Sequence, residues 1–278
     1  MRVRLIGLDI DGTLLDPYGK LSSGVSRAVA TASRRGLRVV LCTGRRFRTA
    51  LPVATELSLS GSIVVHNGAL VKDIESGETQ LDNYLPSEIF SELVALLRGH
   101  GPPMVYVDSY HERTDILTER RDLTHEFQNE YLDDNPEFTR IVDDLAATAR
   151  DDVIMINTMA EAQSLEPLRE YVHSFLGDRV LSHLLMNKGY RGHILEFISP
   201  NSGKWGALRE IAAREGITPE EIAVVGDDTN DAEMIREAGL GIAMGNAAEA
   251  ARAAANVIVK SNAEGGAIEA IEHVLLES

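Results

Sequence analysis

Leu5-Ile6-Gly7-Leu8-Asp9-Ile10-Asp11-Gly12-Thr13-Leu14-Leu15-Asp16 is the stretch that decides the fold. An apolar run of strand length ends in two carboxylates two positions apart, and Gly12-Thr13 then turns the chain. Side chains at i and i+2 of an extended segment share a face, so Asp9 and Asp11 point the same way at the strand's C-terminal end. Ligands of open parallel α/β sheets bind at that end. Carboxylates this close repel, and either one is protonated or a cation sits between them. A hard divalent ion with oxygen ligands, usually magnesium, answers that need. A first strand closing in a plain Asp-Gly turn would carry the same letters, so the rest of the chain must decide.

The chain has 278 residues, about twice a domain of ~150, which predicts two domains. A hydrophobic content of 44% and a charged content of 25% are those of an ordinary soluble globular protein. The net charge of −16 opposes nucleic acid, whose phosphates need clustered Lys and Arg, and also anionic membrane surfaces. A small phosphorylated metabolite remains possible, because metal and a few placed cations can override the global field locally. No stretch approaches the ~20 apolar residues of a membrane span, and the opening lacks a secretory pattern. Cys42 is the one cysteine, so no intrachain disulfide can form and a cytoplasmic location is expected.

Ser22 or Ser23 can cap a helix to about Arg35, stopped by Gly36. Leu37 to Cys42 reads as a second buried strand that ends in Thr43-Gly44-Arg45 before another helical stretch. There a hydroxyl and free N–H groups can meet an anion, or Thr43 simply caps the helix. Ser62 to His66 is a third strand, and Asn67-Gly68-Ala69 reads as a hairpin turn. His66 has no metal-ligand spacing and is read as structural. Between residues 83 and 197 short strands alternate with helices and no phosphate-type turn follows any strand, which predicts an inserted α+β domain. Its last two strands, Val180 to Leu185 and His193 to Ile198, flank a hairpin-length loop and should pair antiparallel. The core resumes at 198. Lys204 opens a helix, where its charge opposes the macrodipole, so something anionic is expected nearby. Ile222-Ala223-Val224-Val225-Gly226-Asp227-Asp228-Thr229-Asn230-Asp231 then repeats the opening logic: strand, glycine, carboxylates, helix. Alternation of strands and helices on both sides of the insertion predicts one doubly wound parallel sheet built from 1–82 and 198–278.

Asp9, Asp11 and Asp227 supply oxygen ligands, while Thr43, Gly44 and Lys204 supply donors and positive charge; together they fit a phosphoryl group and its metal. In these motifs the chain resembles the haloacid dehalogenase-like (HAD) superfamily, and within it the Cof-type phosphatases with a large inserted type IIB cap. Asp9-Ile10-Asp11-Gly12-Thr13 matches the first motif, Thr43-Gly44-Arg45 the second, Lys204 the third and Gly226-Asp227-Asp228-Thr229-Asn230-Asp231 the fourth. Asn67-Gly68-Ala69 and Ala243-Met244-Gly245-Asn246-Ala247 resemble further signatures of the subgroup. In the insertion the likeness is one of length and element order.

The resemblance implies a Rossmann-like core and an aspartyl-phosphate mechanism. Asp9 would attack phosphorus, and Asp11 would act as acid and then base. Magnesium would be held by the carboxylates of Asp9 and Asp227 and the backbone carbonyl of Asp11. Thr43, Gly44 and Lys204 would hold the phosphoryl oxygens, and Asn230 and Asp231 would support the metal or Lys204 from behind. Trp205 stands where glycine is expected, and Cys42 where alanine is commoner. The expected activity is hydrolysis of a small phosphate ester such as a sugar phosphate. A phosphomutase of the same core and a non-catalytic phospho-acceptor module are the alternatives. Arg45, Tyr110, His111, Arg113, Lys188, Tyr190 and Arg191 lie in loop-like stretches and are candidates for contacting the leaving group.

Overall fold

A computed structural model of the protein describes residues 2–119, 124–148, 150–187 and 189–278. The chain opens with β1 (Leu5–Leu8), α1 (Ser23–Arg34), β2 (Arg38–Leu41), α2 (Phe47–Glu56), β3 (Ser62–Val65), β4 (Leu70–Asp73) and β5 (Thr79–Asp82). The inserted stretch carries α3 (Ser87–Leu97), β6 (Met104–Val107), β7 (Ile116–Thr118), α4 (Glu126–Asp133), β8 (Thr139–Ile141), β9 (Val153–Ala160), α5 (Ala162–Leu176), β10 (Leu181–Met186) and β11 (His193–Ile198). It is followed by α6 (Lys204–Arg214), β12 (Ile222–Gly226), α7 (Ala232–Glu237), β13 (Leu240–Ala243), α8 (Glu249–Ala254), β14 (Val257–Ile258) and α9 (Gly266–Leu276). Contacts divide the chain into two compact units, one running from Asn83 to Ser202 and the other formed by the flanking segments.

In the flanking unit five strands form a parallel sheet in the order β14-β13-β12-β1-β2. β1 is central: Leu5 lies opposite Ile222 on one side and Arg38 on the other. Every residue of β1 and β12 is buried, as expected of strands covered on both faces. Leu5, Val40, Ile222 and Val224 pack with Leu208, Ile211 and Ala212 of α6 and with Met234 and Ile235 of α7. On the other side α1 and α9 lie against each other and against β2 and β12. The fold is thus α/β with a doubly wound parallel sheet. The serine pair before α1 resolves to Ser22, whose Oγ accepts from the Val25 N–H at 3.2 Å.

An additional sheet, β3-β4-β5, is antiparallel, and only the β3 to β4 hairpin was anticipated. One bridge, Cys42 to Val64, joins it to β2. The turn between β3 and β4 puts Asn67 at φ 55° and Gly68 at φ 87°. A Cβ on Gly68 would come 2.1 Å from the Gly203 carbonyl oxygen, so this hairpin abuts the start of α6. Trp205, the unexpected residue there, is buried with Val64, Val71 and Leu208. Bulk beside Lys204 therefore fills the seam between hairpin and helix.

The inserted unit is a six-stranded sheet in the order β10-β11-β9-β6-β7-β8. β10 and β11 pair antiparallel over their full length, as anticipated, and β7 and β8 pair parallel. Phe90, Leu93, Val94 and Leu97 of α3 and Leu165, Leu168 and Val172 of α5 pack on one face, against Val105, Ile156, Leu195 and Phe197. Thr118 ends β7, and α4 begins at Glu126. Strands of three residues such as β7 and β8 leave too short a period to be read.

Gly68→Ala is expected to destabilise the protein, by about 1–2 kcal/mol for the left-handed backbone alone and by more once the methyl meets the Gly203 carbonyl. Urea denaturation of the two proteins checks this.

Candidate active site

β1 delivers Asp9 to its C-terminal end, where the Asp9 N–H donates to the Val225 carbonyl at 3.0 Å and the side chain is 5% exposed. Residues 10–14 then make one wide turn, closed by Leu15 N–H donating to Ile10 O at 3.0 Å, with Gly12 at φ 81°. β12 delivers Asp227 beside it. The first residue of α6, Lys204, is 3% exposed, and its Nζ donates to Asp9 Oδ1 at 2.8 Å and Asp231 Oδ1 at 2.7 Å. Asp9, Asp227 and Asp231 bring carboxylate oxygens within 4.8 Å of one another. The first and penultimate core motifs thus converge on one ammonium group.

Asp231, expected to act from behind, belongs to this carboxylate group, but both of its oxygens are committed. Oδ1 takes Lys204, and Oδ2 accepts the N–H groups of Asp227 and Asp228, each at 3.0 Å. Its task is to fix the lysine and the turn after β12. Asp227 accepts more loosely, from Thr13 Oγ1 at 3.3 Å and Asn246 Nδ2 at 3.3 Å. Asn246 also donates to the Gly12 carbonyl at 2.9 Å, which stitches the two carboxylate-bearing turns together.

The Asp11 carboxylate does not join the three. Arg45 grips it at two points, Nε to Oδ2 and Nη2 to Oδ1, both at 2.6 Å. Arg45 is therefore an internal partner of the first motif rather than a loop residue open to a leaving group. Thr43 is fully buried, and its Oγ1 accepts from the Arg45 N–H at 3.1 Å. It does not cap α2, which begins at Phe47 with Arg46 in the cap position. Gly44 lies between Thr43 and Arg45 and packs on the Asn67 side chain. Asn67 Oδ1 accepts from Asn230 Nδ2 at 2.8 Å, so the β3 to β4 turn reaches the site. That role was hidden because Asn-Gly serves equally well in an idle hairpin.

Three buried carboxylates, Asp9, Asp227 and Asp231, gather beside the Lys204 ammonium. Burial pushes the Asp9 carboxyl well above the ordinary carboxylate range; Lys204 opposes the rise, and Asp231 and Asp227 add to it. Burial also opposes charge on Lys204, yet Asp231 and Asp9 outweigh it and hold the ammonium above its usual range. A divalent cation with oxygen ligands suits such a gathering of carboxylates, and Asp9 and Asp227 are the residues that would hold it. Burial likewise raises the Cys42 thiol, so it stays protonated and acts as a small apolar residue.

In the inserted unit, Tyr110 and His111 meet edge to face at 5.2 Å. Arg113 pairs with Glu137 at 2.6 Å, and Arg191 pairs with Glu126 and Glu130 and lies 4.8 Å over the Phe127 ring. Tyr190 stacks edgewise on Tyr131 at 5.0 Å. The two arginines are thus already engaged by acidic neighbours. Lys188 lies outside the described residues.

A family model for haloacid dehalogenase-like hydrolases matches residues 6–271. The chain belongs to this family. The 5-amino-6-(5-phospho-D-ribitylamino)uracil phosphatase YitU of Bacillus subtilis is 28% identical over 94% of each chain. Pyridoxal phosphate phosphatase YbhA of Escherichia coli is 27% identical over 94% of this chain and 95% of its own. A solved haloacid dehalogenase-like hydrolase from Bacteroides thetaiotaomicron superposes with a TM-score of 0.81 at 28% identity, covering 98% of this chain and 100% of that one. The protein is accordingly an enzyme, a haloacid dehalogenase-like phosphatase. No helix among its described residues is long and apolar enough to cross a membrane.

In this phosphatase Lys204→Met removes the ammonium that bonds the buried Asp9 and Asp231 carboxylates. It should cost about 3–5 kcal/mol in metal-free urea denaturation, with part of the loss recovered on adding magnesium chloride. Cys42 should resist a thiol reagent until the protein is unfolded, as titration with and without denaturant will show.

Proposed function

We propose that the protein is a magnesium-dependent phosphatase that hydrolyses small phosphorylated metabolites, sugar phosphates or similar esters, through an aspartyl-phosphate. The observation that carries this is the Asp9 carboxylate, oriented by Lys204 through Oδ1 while Oδ2 accepts no hydrogen bond among the described residues. Asp9 attacks phosphorus, the bond to the leaving oxygen breaks, and Asp11 gives that oxygen its proton. Water then attacks the acyl phosphate, Asp11 takes the water's proton, and inorganic phosphate leaves with Asp9 regenerated. Because Arg45 holds both Asp11 oxygens, the carboxyl must turn from the guanidinium to serve as acid; Arg45 parks it between turnovers.

Asp9 and Asp227, with the Asp11 backbone carbonyl, would hold the ion. When bound, magnesium supplies charge neutralisation that lets an anionic nucleophile approach an anionic phosphoryl group. Lys204, Gly44 and Thr43 would hold the phosphoryl oxygens, and Asn230 would steady them through Asn67. The unit from Asn83 to Ser202 would choose the leaving group and the flanking unit would perform the chemistry. The names carried by YitU and YbhA, phosphatases of 5-amino-6-(5-phospho-D-ribitylamino)uracil and of pyridoxal phosphate, support a small organic monoester.

A screen of phosphorylated sugars, nucleotides and cofactors for release of inorganic phosphate tests the reading. Hydrolysis should need magnesium, vanish with EDTA, and fall by at least about a thousandfold in Asp9→Asn, the scale of losing a nucleophile. Activity retained by Asp9→Asn would refute the nucleophile. Transfer to a second sugar without phosphate release would make the enzyme a mutase. Asp11→Asn should slow sugar phosphates more than p-nitrophenyl phosphate, whose phenolate leaves without a proton.

A further inference from the structure

The N-terminal ends of β1 and β2, opposite the end that carries Asp9, frame a cleft of about 270 Å³ lined by Arg2, Arg4, Arg35, Arg38, Glu215 and Ser278. Arg4 precedes β1, Arg35 follows α1, and Arg38 opens β2 opposite Leu5. All of these residues belong to the flanking unit. From Arg4 to Asp9 the chain advances by about 16 Å along an extended strand, so the cleft is separate from the carboxylate cluster.

Four guanidinium groups line this one cleft in a chain whose net charge is −16. Glu221 accepts from Arg4 Nη1 at 3.2 Å, and Glu215 Oε1 lies 3.1 Å from Arg38 Nε, which makes no hydrogen bond. Even with the carboxylate of Ser278 counted, four positive charges stand against three negative ones. Little of the donor capacity is spent, since each guanidinium carries five N–H groups. Arg4 bonds only through Nη1, to Glu221 and to the Gly216 carbonyl at 2.9 Å, and Arg35 only through Nη1, to the Leu275 carbonyl at 3.4 Å. Those bonds cover carbonyls at the ends of α6 and α9, which explains a cation at each place but leaves the other donors over. Arg2 covers no carbonyl: its side chain makes no hydrogen bond or ion pair among the described residues.

We propose that this cleft is a second anion site, which binds a small phosphate, inorganic phosphate or pyrophosphate, and ties the segment at Arg2 to α1 and β2. It stands independently of the phosphatase reading. Guanidinium forks match phosphate oxygens two at a time. A phosphate presents oxygens on every side, so it can bond arginines of different segments together, as a flat carboxylate cannot. A cleft just below the usual small-molecule range of ~300–1,000 Å³ suits a bare anion rather than a nucleotide. Only the folded chain brings these arginines together, so binding stabilises the fold.

The test titrates inorganic phosphate and pyrophosphate calorimetrically into magnesium-free wild type and the Arg2→Gln/Arg35→Gln double variant, at an ionic strength held constant with chloride. Urea midpoints of both proteins are measured with and without each anion. Wild type should bind, and the double variant should lose at least about tenfold in affinity, the scale of removing hydrogen bonds to a charged group. The anion should raise the midpoint of wild type and not that of the variant. Tighter pyrophosphate would mark a diphosphate ligand and tighter phosphate the free anion; either sustains the proposal. Equal binding by the double variant would put the anion elsewhere, Lys204 included, and overturn it. So would absence of binding by wild type at millimolar anion, or a midpoint that chloride raises as much as phosphate does. If Arg35→Gln fails to fold, Arg2→Gln alone, whose side chain has no bond to lose, should weaken binding about threefold or more, and an unchanged affinity there would overturn the proposal equally.

Discussion

One lysine holds the core together chemically. The Lys204 ammonium bonds Asp9 at the end of β1 and Asp231 in the turn after β12, so three elements distant in sequence share one buried proton donor. A charge in such a place is tolerated only when its partners are fixed. The fixing is done by backbone: two N–H groups hold Asp231, and the β3 to β4 hairpin braces the start of α6 through Gly68. The macrodipole that should repel a lysine at this position is outweighed by carboxylates within hydrogen-bond distance.

The same cluster is strained toward function. Three carboxylates gathered in a buried place are costly for the fold and could hold a cation, and Asp11 beside them is paired with Arg45. Sites that bind ions or developing charge commonly gather like groups in this way, and the surrounding sheet supports it.

The parallel core was legible because its signals are local. Buried strands are uninterrupted apolar runs, and the turns that carry Asp9, Thr43 and Asp227 follow such runs directly, so these candidates could be placed from the letters; Lys204 was singled out by a charge set against the helix dipole. What escaped depends on side-chain reach. Nothing in Thr43-Gly44-Arg45 says that the arginine folds back onto Asp11, since a guanidinium can extend to solvent as easily. Asp231 could not be separated from a helix-start acid, because it is also that: it closes a capping arrangement with Asp228 while it bonds Lys204. The β5 strand was lost because Thr79–Asp82 is only partly buried, and without a buried face there is no period to read.

The central position of β1 has a consequence for synthesis. β1 emerges from the ribosome with β2 soon after, but its other neighbour, β12, lies beyond the whole insertion. At 5–20 residues per second the roughly 200 intervening residues take on the order of 10–40 s. During that interval the nascent chain carries a hydrophobic strand with one open edge and the Asp9 carboxylate without its Lys204 partner. The stretch of synthesis before β12 appears is therefore when this protein is most exposed to aberrant pairing at the open edge of β1.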